Sequence, residues 1–519
     1  MRYMLRSCAG LLLCASLPLV AQVDSVRSRY GATITQTDLR RHLEVLASDA
    51  YEGRETGAHG QKMAAKYIRE HFMEYGIPPV PGAKERGLIN GYEQPFPLEL
   101  SRPGGLSLIV GGEPIGFMQE FFYLSERLRE DYDTDKVVWA GIGDSAPGPD
   151  ARGGTVLVID DDADMTRTDR PSRDFFQRLT RKAALAEEAG ARVLLIASPK
   201  AREMMELYAH YITQPRMKLA DGKEEKGHGR PGIQTVIINK PTAERILKTG
   251  KLSWKKALRT ARKAPRTLPC AFSARFVPNE QRLQGENILG YVEGSDKKDE
   301  LVVVTAHYDH IGKDHEDVYN GADDDGSGTV AVMEMAEAFA KAKREGHGPR
   351  RSLLLMPVSG EEKGLLGSEW YSEHPVFPLE STVADLNIDM IGRTDSAHEK
   401  SAPYVYIIGS DRLSSDLHRI NEAANATYTG LVLDNTFNDA NDPNRFYYRS
   451  DHYNFAKNGV PVIFYFSGVH EDYHQPGDEV QKIRFDLLEQ RARLVFYTAW
   501  ELANREQRIV VDKPLPKEQ

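Results

Sequence analysis

From about residue 285 onward the chain alternates continuous apolar runs with segments of helical periodicity, and this alternation restricts the fold more than any other feature. The runs cover residues 301–306, 353–358, 383–388, 404–408 and 460–466, and the helical segments cover 327–343, 365–373, 414–424 and 485–504. A strand that is apolar at successive positions is buried on both faces, which calls for a largely parallel sheet with helices on each side. The fold class is therefore α/β, with a mostly parallel central sheet flanked by helices. In such a sheet ligands bind beyond the carboxyl ends of the strands, so the residues that follow each run are the ones to read for function.

After the first run come His307 and Asp309, at i and i+2 and so on one face of an extended segment. A His with a carboxylate two residues on suits a metal ligand whose other ring nitrogen is held by an acid. Residues 320–328, NGADDDGSG, open a helix and set Asp323, Asp324 and Asp325 side by side. No Lys follows the glycines, which excludes a phosphate loop, and the mutual repulsion of three adjacent carboxylates implies that at least one faces a cation. Glu361 and Glu362 follow the second run. Neighbours in extended chain point in different directions, so one can ligate metal while the other faces substrate. Asp389 follows the third run, and Tyr473 and His474 lie beyond the last, within 472–478. His, Asp and Glu without thiolates suit zinc.

The 519 residues exceed the roughly 250 to 300 at which one core stops growing, so at least two domains are expected. Residues 1–21 carry Arg2 and Arg6 ahead of a short apolar stretch and read as a secretory signal, too short to span about 30 Å of hydrocarbon. Cys8 and Cys14 lie inside it, so a processed chain keeps Cys270 and forms no internal disulfide. Residues 22–100 hold two helices, marked by Leu39, Leu43 and Leu46 and by Ala64, Tyr67, Ile68, Phe72 and Tyr75, with Gly76 and Pro78 ending the second. The polar link between them, 51–57, reads as a glycine-containing turn. Residues 101–270 change texture, with strands at 155–159 and 193–197 and a helix through 183–189 closed by Gly190. This is a small α/β accessory unit without a ligand-like cluster, and the basic stretch 248–266 near its end reads as a solvated face. With 67 basic against 76 acidic residues, nucleic-acid binding is not expected, and no run after the first is apolar enough for a membrane span.

Together, Ala306-His307-Tyr308-Asp309, residues 321–328 and 359–364, Asn387-Ile388-Asp389-Met390 and Tyr473-His474-Gln475-Pro476 resemble the zinc exopeptidases with a two-metal site, metallopeptidase family twenty-eight. These include bacterial leucyl aminopeptidases, aminopeptidase Y and glutamate carboxypeptidase. The resemblance extends to 53–57 and the helix after it, and the middle insert looks like a protease-associated domain. It implies an exported aminopeptidase acting on peptides with two Zn2+ per chain. Asp324 would bridge the ions, His307 and Asp389 would complete one site, and Glu362 and His474 the other. Glu361 would be the general base for a metal-bridged hydroxide, Asp309 would orient His307, and Tyr473 would donate to the tetrahedral intermediate. The resemblance also implies a pocket lined by 434–444 and Arg449 to His452, whereas Asp478 reads equally as a supporting acid or a turn residue. The catalytic domain would comprise 22–100 and 271–511, frame the insert 101–270, and end in a tail, 512–519. A glutaminyl-cyclase-like single-zinc acyltransferase, a carboxypeptidase or dipeptidase, and an inactive binding protein on the same scaffold are the alternatives.

Overall fold

A computed structural model describes residues 24–160, 173–222, 232–261 and 265–515. The proposed signal segment, residues 262–264 of the basic stretch and the last residues of the tail lie outside these. The chain divides into two compact units, one formed by Met1–Phe96 with Gly285–Gln519 and the other by Pro97–Gln284.

The first unit is built on a seven-stranded sheet. Its strands are β1 (Gly290–Val292), β2 (Lys297–His307), β3 (Arg351–Val358), β4 (Thr382–Ile388), β5 (Tyr404–Ile408), β6 (Val432–Asp434) and β7 (Val462–Phe466), in the spatial order β1-β3-β2-β4-β7-β5-β6. The four central strands β3, β2, β4 and β7 are parallel. This is the mostly parallel α/β architecture expected from the apolar runs. The edges depart from it, because β1 runs antiparallel to β3 and β5 antiparallel to β7. An apolar run reports burial on two faces and carries no information on strand direction.

Alternate residues of β2 enter different cores. Val302 and Val304 join one cluster, with Leu39, Ile68, Val332 and Val495, while Leu301 and Val303 join another on the opposite face, with Tyr371, Phe455 and Phe464. The first cluster is covered by α1 (Gln36–Leu46), α2 (His59–Glu74), α3 (Gly328–Arg344), α4 (Ser415–Ala424) and α5 (Phe485–Asn504). Helix α1 starts where Thr35 accepts a hydrogen bond from the Asp38 amide, and it buries Leu39, His42, Leu43 and Leu46 along one stripe. Register between the parallel strands pairs His307 with Val358, Thr305 with Asn387 and Ile388 with Tyr465, so their carboxyl ends finish at one level.

Between α1 and α3 the core holds two ionisable groups. His42 Nε2 lies 3.5 Å from Glu334 Oε1, and the hydroxyls of Tyr67 and Tyr75 lie 2.8 and 3.1 Å from the His42 ring nitrogens. Burial pushes His42 down to about 3 and the Glu334 carboxyl up to about 8, so neither is charged near neutrality. A carboxyl whose folded pKa is raised favours the folded state below its unfolded pKa of about 4.3, and that advantage is lost as pH rises through the folded value. Wild-type protein should therefore lose thermal stability relative to Glu334→Gln progressively between about pH 4.5 and pH 8, the Tm gap reaching several degrees. Parallel Tm curves across that window would show that Glu334 does not titrate there. His42 works in the opposite direction, its contribution falling as pH drops from about 6.5 toward 3, and is common to both proteins.

The second unit has a six-stranded sheet that includes the parallel strands Val137–Trp139, Thr155–Ile159, Val193–Ser198 and Gln234–Asn239, with a helix at Arg173–Glu188. A four-stranded antiparallel sheet accompanies it. Its cores are separate from those of the first unit, and Cys270 is buried in one of them as a free thiol. Among the described residues, neither group of side chains arranged to hold a metal lies in this unit. No helix among them is long and apolar enough to cross a membrane.

Candidate active site

The aligned carboxyl ends of the central strands deliver the side chains singled out by sequence. His307 is the last residue of β2, Glu361 and Glu362 follow β3, Asp389 follows β4, and Tyr473 and His474 lie in the segment after β7. Asp324 sits in the turn that leads into α3. That turn begins at Gly321, whose φ of 53° is left-handed and whose position leaves no space for a side chain: a Cβ there would fall 2.2 Å from the Asp324 carbonyl oxygen. The three adjacent aspartates divide their work. Asp325 accepts hydrogen bonds from the amides of His307, Gly328 and Met390 at 3.2, 2.8 and 3.1 Å, tying the ends of β2 and β4 to the start of α3. Asp323 accepts from the Gly392 amide at 2.6 Å. The other Asp323 oxygen lies 3.3 Å from His470 Nε2, and the middle carboxylate faces the site.

His307 Nε2 lies 3.3 Å from Asp324 Oδ1 and 3.7 Å from Asp389 Oδ1, and Glu361 Oε2 stands 3.9 Å from the same nitrogen. On the other side of Asp324, His474 Nε2 lies 3.2 Å from Asp324 Oδ2 and 3.3 Å from Glu362 Oε2. His310, which the sequence reading passed over, stands with Nδ1 2.8 Å from Glu362 Oε1. The donor atoms of His307, Asp324 and Asp389 lie within 4.8 Å of one another, as do those of His310, Asp324 and Glu362. Asp324 Oδ2 and Glu362 Oε1 are buried and have no hydrogen-bond partner. Buried carboxylate oxygens without partners are costly unless a cation meets them, so this oxygen and imidazole set fits divalent metal of the zinc type.

Residues 287–499 match the family model Peptidase family M28. This segment is an M28 peptidase domain. Over 254 residues the chain is 27% identical to a probable zinc metalloprotease of Pyrenophora tritici-repentis, covering 42% of this chain and 51% of that protein. It is 31% identical over 232 residues to a probable leucine aminopeptidase of Arthroderma otae, covering 43% and 59%. The chain thus spans about half the length of these curated relatives. Among solved structures, the aminopeptidase from Aneurinibacillus sp. strain AM-1 superposes with a TM-score of 0.52 at 19% identity, covering 95% of this chain and all of that one, a likeness of fold.

Within the M28 domain the ligand-like side chains are held by a further layer. Ser450 donates to Asp389 Oδ2 at 2.7 Å and itself accepts from Asn387 Nδ2 at 2.8 Å, and Asn387 Oδ1 accepts from Thr305 at 2.7 Å. Asp478 accepts from the amides of Asp323 and Asp324 at about 3.0 Å, a supporting role. His307 Nδ1 lies 3.0 Å from the Asp309 carbonyl oxygen and 3.8 Å from its carboxylate. The carboxylate of Asp309 instead accepts from Thr56 at 2.6 Å and from the Glu361 amide at 3.3 Å. Groups that fix a metal ligand typically carry 10- to 100-fold in affinity. Ser450→Ala should therefore weaken retention of the ion at Asp389 by about that factor in chelator competition, along with a loss of about 1 to 3 kcal/mol of stability from the Asn387 amide left unpaired; unaltered retention would remove Ser450 from this layer.

Electrostatics in the M28 domain follow from burial and proximity. Burial disfavours charge on His307, yet the carboxylates of Glu361, Asp324 and Asp389 outweigh it and hold the imidazole well above its usual range. Burial likewise opposes charge on Asp324, but the imidazoles of His307 and His474 beside it, with His310 behind, pull its carboxyl well below the ordinary range. Burial pushes Glu361 well above it, with Glu362 and Asp389 adding in the same direction. Burial also raises the Tyr473 phenol, so it stays protonated and remains a donor. Asp324, Glu361, Asp389, Tyr473 and His474 line a small pocket whose apolar walls include Phe446, Phe464 and Phe466, with Arg449 beside them. Residues 434–444 contribute none of the lining; the wall starts at Phe446.

Proposed function

We propose that the protein is an exported aminopeptidase that holds two zinc ions and removes residues from the N-terminus of peptides. The observation that carries the reading is the sharing of Asp324 between two carboxylate and imidazole groups at the edge of a small pocket with aromatic walls, with Glu361 alongside. His307 and Asp389 would complete the site for one ion, Glu362 and His474 that for the other. Bound zinc supplies Lewis-acid polarisation and lowers the pKa of water. Glu361, which lines the pocket 3.9 Å from His307 Nε2, takes a proton from the attacking water and passes it to the leaving amine. Tyr473, still protonated, donates a hydrogen bond to the developing oxyanion. Asp309 fixes the main chain at Glu361 through its amide. The aromatic walls take the side chain of the terminal residue, which favours apolar ones. Export rests on the sequence of residues 1–21, and residues 101–270 serve as a protease-associated accessory insert.

A carboxypeptidase reading has one observation in its favour. Arg449 lines the pocket and donates to the Tyr473 hydroxyl at 3.4 Å, where a guanidinium suits a terminal carboxylate. A panel of aminoacyl anilides with free and blocked N-termini, alongside peptides with free and blocked C-termini, each with and without chelator, separates the two. Chelator-sensitive release from free N-termini is expected. Turnover confined to free C-termini would establish the carboxypeptidase reading instead, and one zinc per chain would favour the acyltransferase.

A further inference from the structure

His310 is buried, sits one residue beyond Asp309, and has no role in the scheme above. Its Nδ1 lies 2.8 Å from Glu362 Oε1 and 3.9 Å from Asp324 Oδ2. The shorter contact is not a hydrogen bond. Neither Nδ1 nor Glu362 Oε1 has a partner in hydrogen-bonding geometry, and His310 Nε2 has none either. A nitrogen and a carboxylate oxygen this close and without a hydrogen bond between them are both within reach of one shared cation. Bonds of 2.0–2.2 Å in a tetrahedron around zinc place neighbouring ligand atoms about 3.3 Å apart. The separations in this half of the site lie on both sides of that value, at 2.8 Å for His310 and Glu362, 3.2 Å for His474 and Asp324, 3.3 Å for His474 and Glu362, and 3.9 Å for His310 and Asp324.

The main chain fixes this imidazole. The His310 amide donates to the Arg54 carbonyl oxygen at 3.2 Å, and the ring lies against Gly321, where an added Cβ would fall 2.5 Å from two ring carbons. A residue held so firmly, fully buried and with two unused ring nitrogens, is expensive to keep unless the ring has a partner that the protein itself does not provide.

We propose that His310 Nδ1 is an additional protein ligand at the Glu362 and His474 site, an inference that rests on the two-metal reading. The two sites then differ in kind. Four protein groups, His310, Asp324, Glu362 and His474, close one of them, while three, His307, Asp324 and Asp389, leave the other with an open position. A closed set of protein ligands marks a retained ion and an open set an exchangeable one that meets substrate. The ion beside Glu361 should leave first.

The test uses wild-type protein labelled with 15N-histidine and loaded with 113Cd. Three imidazoles coupled to cadmium are expected, His307 and His474 through Nε2 and His310 through Nδ1. Two bound ions with couplings to His307 and His474 alone would overturn the assignment of His310 while leaving the two-metal reading intact; fewer than two bound ions would overturn both. In His310→Asn, chelator should remove the ion at Glu362 at least about tenfold more readily than in wild type. Unchanged retention there, in a variant with a wild-type melting curve, would also overturn the proposal.

Discussion

Glu361→Gln is expected to keep its full metal content and to lose turnover by about a hundred- to ten-thousand-fold, the range that general acid and base catalysis supplies. The substitution preserves shape and removes only the capacity to take up a proton. Glu361 is 3.9 Å from His307 Nε2 and lines the pocket, yet its neighbour Glu362 is the one that faces His310 and His474. Metal content measured on the same sample separates the two functions, because Glu362→Ala should instead lose an ion. If Glu361→Gln turned over substrate at a near-normal rate, the proton would have to travel through another group. The peptide unit at Glu361 is anchored by Asp309, so a shifted main chain cannot be invoked to explain a loss. KM should change little, since the pocket walls are aromatic side chains from other segments.

The second large effect concerns stability. Arg54 is fully buried and spreads its guanidinium over four carbonyl oxygens, of Tyr308 at 2.8 Å, Leu46 at 2.6 Å, Asn320 at 2.7 Å and Gly321 at 2.9 Å. Burial lowers it to about 10, which leaves it charged at neutrality beside the acids of the site. Arg54→Leu strips those carbonyls of their donor and removes a cation that the fold itself places near Asp309, Asp324 and Asp478. Leaving buried polar groups unpaired costs about 3 kcal/mol or more in total. Denaturant unfolding of the metal-free protein should show that loss, together with weaker metal retention, because Asn320 and Gly321 begin the turn that carries Asp324. Arg54→Lys should not restore stability, since an ammonium cannot present the planar fork. An unfolding midpoint equal to wild type in Arg54→Leu would refute this role.

These two residues also mark where sequence was informative. Glu361 stands out because a run apolar at every position, 353–358, hands it directly to the carboxyl end of a buried strand, and the same logic exposes His307 and Asp389. Arg54 lies in a polar, glycine-containing link that reads as a turn; its importance comes from contacts with residues more than 250 positions away, which no local pattern encodes. His310 is adjacent to a motif residue, but its direction is set by packing on Gly321. The same limit applies to β5, whose apolar run is plain and whose antiparallel direction depends on the path of the connection to it. Strand content and candidate ligands follow from local sequence, whereas supporting contacts follow from tertiary closure.

The first unit is interrupted in sequence, and this has consequences for how the protein is made. Helices α1 and α2 precede residue 97, while the strands they cover and helix α5, against which Gly31 packs through Tyr497, follow residue 285. During synthesis the early helices must therefore wait with their apolar stripes exposed until nearly the whole chain has emerged. Loop entropy is a small obstacle, as each doubling of the intervening length costs only about 0.6 kcal/mol. Exposed surface during the delay is the larger hazard, and it makes the nascent N-terminal segment a natural client for chaperones. The interposed unit has cores of its own, so the burial of its apolar surface does not wait for the two halves of the first unit to meet.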